Sequence, residues 1–253
     1  MTTDRHVVDR LWPDAAADLT LDEAMAPFTL PAPPAGRPLV AINMVTTIDG
    51  RAQLDGTAEG LGSRTDRELM RHYRAAFDAV GSGVGTLRAS GIWLRVGDEL
   101  AARRAAEGRA PNPVGVLIAG EGPIPTDAGW FDGDEPRIAF VGRANPLDVA
   151  PSGTELLRAG SPEPDPAWVL ARLAERGIGS LLLEGGPHVN AAFLADGLID
   201  EVYWTIGPIL AGTDALSMVV PIPGADILRR GRLVSVLRHD DELFVRYRFG
   251  ADG

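Results

Sequence analysis

The chain has 253 residues, 45% apolar and 23% charged, a composition that can fill a globular core and argues against disorder. It has no Cys and, by direct count, no Lys, so all 24 basic residues are Arg. Thiolate metal sites, cysteine nucleophiles, Schiff-base lysines and a Walker lysine are thereby excluded, and a net charge of −11 disfavours nucleic acid and anionic membrane as partners.

Residues 1–37 read as an N-terminal arm. Leu21–Phe28 suits a short helix, and Pro31, Pro33, Pro34 and Pro38 keep the chain extended after it. The stretch has no apolar signal-peptide core, and no run in the chain approaches the roughly 20 apolar residues of a membrane helix. Cytoplasm is the expected location. Residues 38–253 read as a single domain. "LVAINMVTTIDG" from Leu39 is a buried strand closed by an Asp49-Gly50 turn. Ser63 caps a helix over Arg64–Phe77. "DAVGSGVG" is a second strand, after which Thr86–Ala89 turn or start a helix. Asp98–Glu107 is helical, and "VGVLIAG", "RIAFVG" and "TELLRAG" are strands. Pro166–Arg176 is an amphipathic helix stopped by Gly177 and Gly179. "SLLLEGG" is a buried strand, Pro187–Ala195 a helix and "DEVYWTIGPIL" a strand. Residues 211–230 read as an irregular loop. "RLVSVLRH" and "ELFVRYRF" flank Asp240-Asp241 as a terminal hairpin. Alternating strands and helices predict a three-layer α/β/α fold with a mixed, mostly parallel sheet and a C-terminal β-hairpin.

Three segments carry chemistry. In "LLLEGGPHVNAAFL" a buried strand runs into Glu184-Gly185-Gly186-Pro187 and then a helix. Glycines admit close backbone approach, and a helix N-terminus favours an anion. An ordinary strand–helix turn is the competing explanation; the segment is not GxGxxG. In "GSGVGTLRASG", Gly81, Gly83 and Gly85 alternate on one strand face before Thr86, leaving room for a flat ligand or a closely packed helix. On the helix between them, Arg64, Arg67, Arg71 and Arg74 fall at steps of three and four, opposite Met70, Tyr73 and Phe77. Arg64 and Arg67 fit a solvated face; Arg74, beside the glycine-rich strand, is the phosphate candidate. His6, His72, His188 and His239 have no metal spacing, with His72 expected to be exposed, and no GxSxG elbow occurs. Asp49 fits turn chemistry.

"NMVTTIDGRA" (43–52), "RHYRAAFDAVGSGVGTLRASG" (71–91) and "LLLEGGPHVNAAFLADGLIDEVYWTIGPILAG" (181–212) together resemble the reductase domain of the riboflavin-biosynthesis deaminase/reductase, a branch of the dihydrofolate-reductase-like fold. The Asn-Met-Val-x-x-x-Asp-Gly form resembles its "pyrimidine reductase family" side branch. The resemblance spans about residues 38–249. It implies NADPH and reduction of the ribosyl group of a phosphorylated aminouracil to ribityl. By position it assigns Val45, Leu61, Thr86, Gly120, Gly186, Pro187, His188, Val189, Asn190, Ala191 and Ala192 to the cofactor, and the glycine-rich strand ends add Gly83 and Gly185. It assigns Arg74, Leu94, Arg95 and Glu184 to the substrate, with Asn43 and Glu184 at the chemistry and no metal. A homodimer is expected by the same analogy. The chain departs from the family by lacking a zinc deaminase domain, by Asn43 where many members carry Lys, and by Ser90 where many carry Asp. Asn can only hydrogen-bond where Lys can carry a proton. A pterin such as dihydrofolate, or NADPH binding without catalysis, therefore stays open. Arg143, after "RIAFVG", is the candidate for the cofactor's 2′-phosphate.

Overall fold

Leu39, Val40, Ala41 and Ile42 are almost wholly buried, as a strand covered on both faces must be. They open β3 (Leu39–Thr46), near the middle of the sheet. The computed structural model describes residues 6–90, 95–222 and 227–250.

Parallel to β3 run β8 (Ser180–Leu183), β4 (Ala79–Gly83), β5 (Val114–Ala119), β6 (Arg137–Val141) and β7 (Thr154–Arg158) on one side, and β9 (Glu201–Ile206) on the other. The hairpin of β10 (Arg232–His239) and β11 (Glu242–Arg248) continues the sheet antiparallel beyond β9. Helices α1 (Leu21–Met25) and α2 (Arg64–Ala76) cover one face, where Leu69, Tyr73 and Phe77 pack on Leu39, Ala41, Val80 and Leu182. Helices α5 (Pro166–Ala174) and α6 (Pro187–Ala195) cover the other, through Val169, Leu170, Leu173 and Phe193. The three-layer, mixed and mostly parallel architecture expected from the sequence is present. No helix among the described residues is long and apolar enough to cross a membrane.

The N-terminal residues differ from the extended arm read from the sequence. Val7–Trp12 form β1 and Ala16–Thr20 form β2, both antiparallel, added to the sheet edge through β10. Only Val8 among these residues is buried, so neither strand carries the apolar alternation that would announce it. The short helix is present but stops at Met25; Thr20 and Glu23 form a reciprocal capping box at its start. Phe28 then packs against Tyr73 and Tyr203.

Two further corrections concern α2 and its successor. The helix starts at the Ser63 cap as expected, with Ser63 Oγ accepting the Asp66 N–H. Arg64, Arg67 and Arg71 are exposed, but Arg74 is buried. Ten residues of helix turn Arg74 well away from Arg64, far enough to leave the solvated stripe. His72, expected exposed, is half-buried near Asp22, and burial lowers its pKa below the ordinary value. Gly85 lies not on β4 but in α3 (Val84–Ser90), so only Gly81 and Gly83 share the strand. Helix α4 (Asp98–Ala106) falls where expected.

Asp49 does more than close a turn. Its carboxylate accepts the N–H groups of Ala211 and Gly212, each at 3.0 Å, and the Thr47 hydroxyl at 2.7 Å. These bonds, the Ala211 amide foremost, hold its pKa well below the usual carboxylate range. A depressed folded pKa means the stabilisation is complete above about pH 4 and fades as the pH falls below that. Asp49→Asn is expected to speed hydrogen exchange at Ala211 and Gly212 at neutral pH while β3 stays protected; unchanged exchange would refute the tie.

Candidate active site

Open α/β sheets place ligands beyond the carboxyl ends of parallel strands, where neighbouring connections diverge. Here β8 is inserted between β3 and β4, the first two strands of the parallel set in chain order. A cleft of about 200 Å³ opens at their carboxyl ends. Its walls include Asn43, Met44 and Val45 from β3, Asp66, Met70 and Arg74 from α2, Thr86 from α3, and Glu184, Gly185, Gly186 and Pro187 after β8. Residues read separately from the sequence thus meet around one cavity.

The turn after β8 is laced to β4. The Glu184 N–H donates to the Gly81 carbonyl at 2.8 Å, and the Gly83 N–H to the Gly185 carbonyl at 2.9 Å. The Gly185–Gly186 peptide is cis, and Gly185 has φ +93°, a conformation that favours glycine. A Cβ at Gly83 would stand 2.9 Å from Val189 Cγ2, so this strand end has no room for a side chain. Gly186 caps α6 with no side-chain bond, and Pro187 occupies the first turn. The first-turn N–H groups of such a helix lack intrahelical partners and suit an anion.

Arg74 and Glu184 form a nearly closed ion pair. Arg74 Nε donates to Glu184 Oε1 at 2.8 Å and Nη2 to Oε2 at 2.6 Å; each side chain is 8% exposed. Nη1 reaches the Arg95 carbonyl at 3.4 Å. Arg95 is half-exposed and pairs with Glu135 at 2.6 Å. Both candidate phosphate-binding arginines therefore have carboxylate partners within the chain.

The remaining candidates are spread out. Leu61 is buried, its carbonyl packed against Gly207. Gly120 lies further along the sheet, beside Gly142 and the Glu163 carboxylate. On α6, Val189 touches Gly83, His188 and Ala192 are exposed, Ala191 is buried, and Asn190 Nδ2 donates to the Met218 carbonyl while its Oδ1 is buried without a partner among the described residues. Arg143 is exposed just beyond β6. Leu94 lies outside the described residues.

Sequence reasoning missed Asp66 as a cleft residue. Its Oδ1 accepts the Thr205 hydroxyl at 2.7 Å, and Oδ2 packs so closely on Gly62 that a Cβ there would stand 2.2 Å away. Burial pushes its pKa up to about 7, assisted by Glu242 and Glu184 and opposed by Thr205 and Arg67. Position three of a helix favours an ionised carboxylate by about 0.3–1 kcal/mol, too little to offset this desolvation. The missed signal was the stripe Asp66–Met70–Arg74 at steps of four, beside the sheet-facing stripe Thr65–Leu69–Tyr73.

A mixed α/β sheet with this cleft and a glycine-rich turn feeding a helix N-terminus defines an α/β fold with its ligand site at the carboxyl ends of the parallel strands. A pyrimidine reductase-like protein from Corynebacterium diphtheriae superposes with a TM-score of 0.75 at 22% identity, over 85% of this chain and 93% of that one. The chain belongs to the RibD C-terminal domain family, whose model matches residues 38–244. It is similar to two relatives named 2,5-diamino-6-ribosylamino-4(3H)-pyrimidinone 5′-phosphate reductase. The one from Archaeoglobus fulgidus is 25% identical over 219 residues, 84% of this chain and 99% of the relative. The one from Methanothermobacter thermautotrophicus is 30% identical over 188 residues, 72% of this chain and 84% of the relative.

Proposed function

We propose that the protein is an NADPH-dependent reductase that converts the ribosyl group of a phosphorylated ribosylaminopyrimidine to ribityl. The observation that carries this reading is the meeting of Asn43, Arg74, Thr86 and Glu184–Pro187 around one cleft in a chain of this family. The fit of a dinucleotide rests on the uncapped start of α6, the side-chain-free ends of β4 and β8, and Asn190 Oδ1, which has no partner among the described residues. A bound nicotinamide supplies the hydride. Gly83, Gly185 and Gly186 let the backbone approach the cofactor, the α6 N-terminus takes its pyrophosphate, and Thr86 offers a hydroxyl. Arg143 is the cation assigned to the 2′-phosphate. Asn43 orients the acceptor by hydrogen bonding, and Glu184 fixes Arg74 toward the substrate side. The partly buried Val202 and Trp204 of β9, which line one apolar cavity with the exposed Leu228, support a homodimer contact on that face.

The test is loss of reduced nicotinamide absorbance with purified protein, NADPH and the phosphorylated ribosylaminopyrimidine. Turnover is expected; none at high enzyme concentration rejects the reading. One observation favours a second acceptor class, an unphosphorylated heterocycle such as a pterin: Arg74 and Arg95 are both already paired with carboxylates. Dihydrofolate belongs in the same assay. If phosphate recognition holds, removing the phosphate should raise KM by one to two orders of magnitude, since charge-assisted bonds contribute roughly 1.5–3 kcal/mol. An unchanged KM transfers the assignment to the second class.

A further inference from the structure

Two carboxyl groups line the cleft, and they are held in opposite ways. Glu184 is neutralised by the Arg74 guanidinium. Asp66 is partly buried, with no guanidinium paired to it among the described residues, and its one side-chain partner there is the neutral Thr205 hydroxyl. It is fixed from three sides: Ser63 caps its N–H, Thr205 of β9 holds Oδ1, and the bare Cα of Gly62 makes room for Oδ2. Such placement fixes at the cleft wall a carboxyl group that can carry a proton. Asn43 cannot perform that task, because an amide neither gains nor loses a proton at neutral pH.

We propose that Asp66 is the acid of the cleft and gives the substrate the proton that accompanies hydride addition. The inference takes its substrate from the function proposed above. At a cyclic N-glycoside, the hydride from the nicotinamide donor forms the new C–H bond at the anomeric carbon as the bond from that carbon to the ring oxygen breaks. The Asp66 carboxyl proton goes to the departing ring oxygen, making a hydroxyl. The nicotinamide is oxidised by two electrons, the sugar carbon is reduced by two, and the aspartate left behind takes a proton from water. Among the described residues, the charged or titratable groups facing Asp66 are Arg67, Tyr73 and Arg74 on its own helix, Glu184 after β8 and Glu242 on β11. The two glutamates favour the protonated form and Arg67 opposes it.

Two measurements on the full chain test this. The first is a carbon NMR titration of the aspartate carboxyls in the free protein, which needs no substrate. One aspartate signal is expected to titrate near neutrality and to be missing from Asp66→Asn. If Asp66 instead titrates in the ordinary range near pH 4, the proposal is overturned. The second is turnover of the phosphorylated ribosylaminopyrimidine with NADPH, from mildly acid to mildly alkaline pH. Wild-type kcat should fall as the pH rises past neutrality. Asp66→Asn keeps the shape and the Thr205 bond; its kcat should be at least about a hundredfold lower, with a flat profile and little change in KM. Asp66→Glu should recover part of the rate and the pH dependence. An Asp66→Asn enzyme with wild-type kcat and profile also overturns the proposal. A wild type that does not use this substrate while Asp66 titrates near neutrality rejects the substrate reading and leaves the acid supported.

Discussion

Arg74→Ala is expected to cost about 3–5 kcal/mol of folding stability, because it leaves the largely buried Glu184 carboxylate without its counter-charge. The pair has two short charge-assisted bonds, at 2.8 and 2.6 Å, and 8% exposure on each side. Solvent screening therefore weakens it little, unlike the exposed Arg71–Glu68 pair on the same helix, where the equivalent change should cost about 0–1 kcal/mol. Glu184→Ala should be similarly damaging, since it strands the guanidinium instead. For a chain of this size the loss corresponds to a fall in Tm on the order of 10 °C. The double substitution Arg74→Met with Glu184→Leu removes both charges at similar volume and should recover most of the stability while abolishing activity. Urea unfolding of Arg74→Met, Glu184→Leu and this double variant forms a cycle. Additive losses, with no recovery in the double, would show that the pair does not act as a unit.

That pair also shows where sequence reading stops. Arg74 and Glu184 were each singled out from local surroundings, one at the end of an arginine stripe and one at the end of a buried strand. Nothing local says that residues 110 positions apart bond to each other. Where the signal is local, the agreement is close. Helix α6 spans Pro187–Ala195 as expected, because Gly-Gly-Pro after a buried apolar run leaves few alternatives. The Ser63 cap was readable for the same reason. Strands β1 and β2 were not, because an edge position buries only Val8 and needs no alternating pattern. Asp66 was hidden by context: counted as one acid among arginines, it becomes a cleft group only when β9 brings Thr205 to it. Glu201 is comparable, fully buried at the start of β9 and bonded to Tyr203, Arg246 and Arg248, an arrangement that depends on the terminal hairpin folding back.

Gly186→Asp is expected to separate cofactor binding from stability. Gly186 is the N-cap of α6, with φ −85° and ψ 168° and no side-chain cap bond. An Asp adopts that backbone readily and would accept first-turn N–H groups, so stability should hold or rise by a few tenths of a kcal/mol. Its Cβ would stand 3.1 Å from Thr86 Oγ1, a contact that a small shift of the hydroxyl relieves. The same carboxylate would occupy the N–H groups assigned to the cofactor's pyrophosphate and set a negative charge against it. Two like charges about 4 Å apart repel by about 4 kcal/mol at an effective dielectric of 20, so Kd for NADPH should rise by about two to three orders of magnitude. Gly186→Asn has nearly the same shape without the charge and should weaken binding far less. Added salt should narrow the gap between the two variants, because screening acts on the charge and not on the shape. Fluorescence titration of NADPH against wild type, Gly186→Asp and Gly186→Asn at low and high salt measures all three effects. Equal weakening in both variants would mean that only the shape of the turn matters. Wild-type affinity in Gly186→Asp would mean that the anion binds elsewhere.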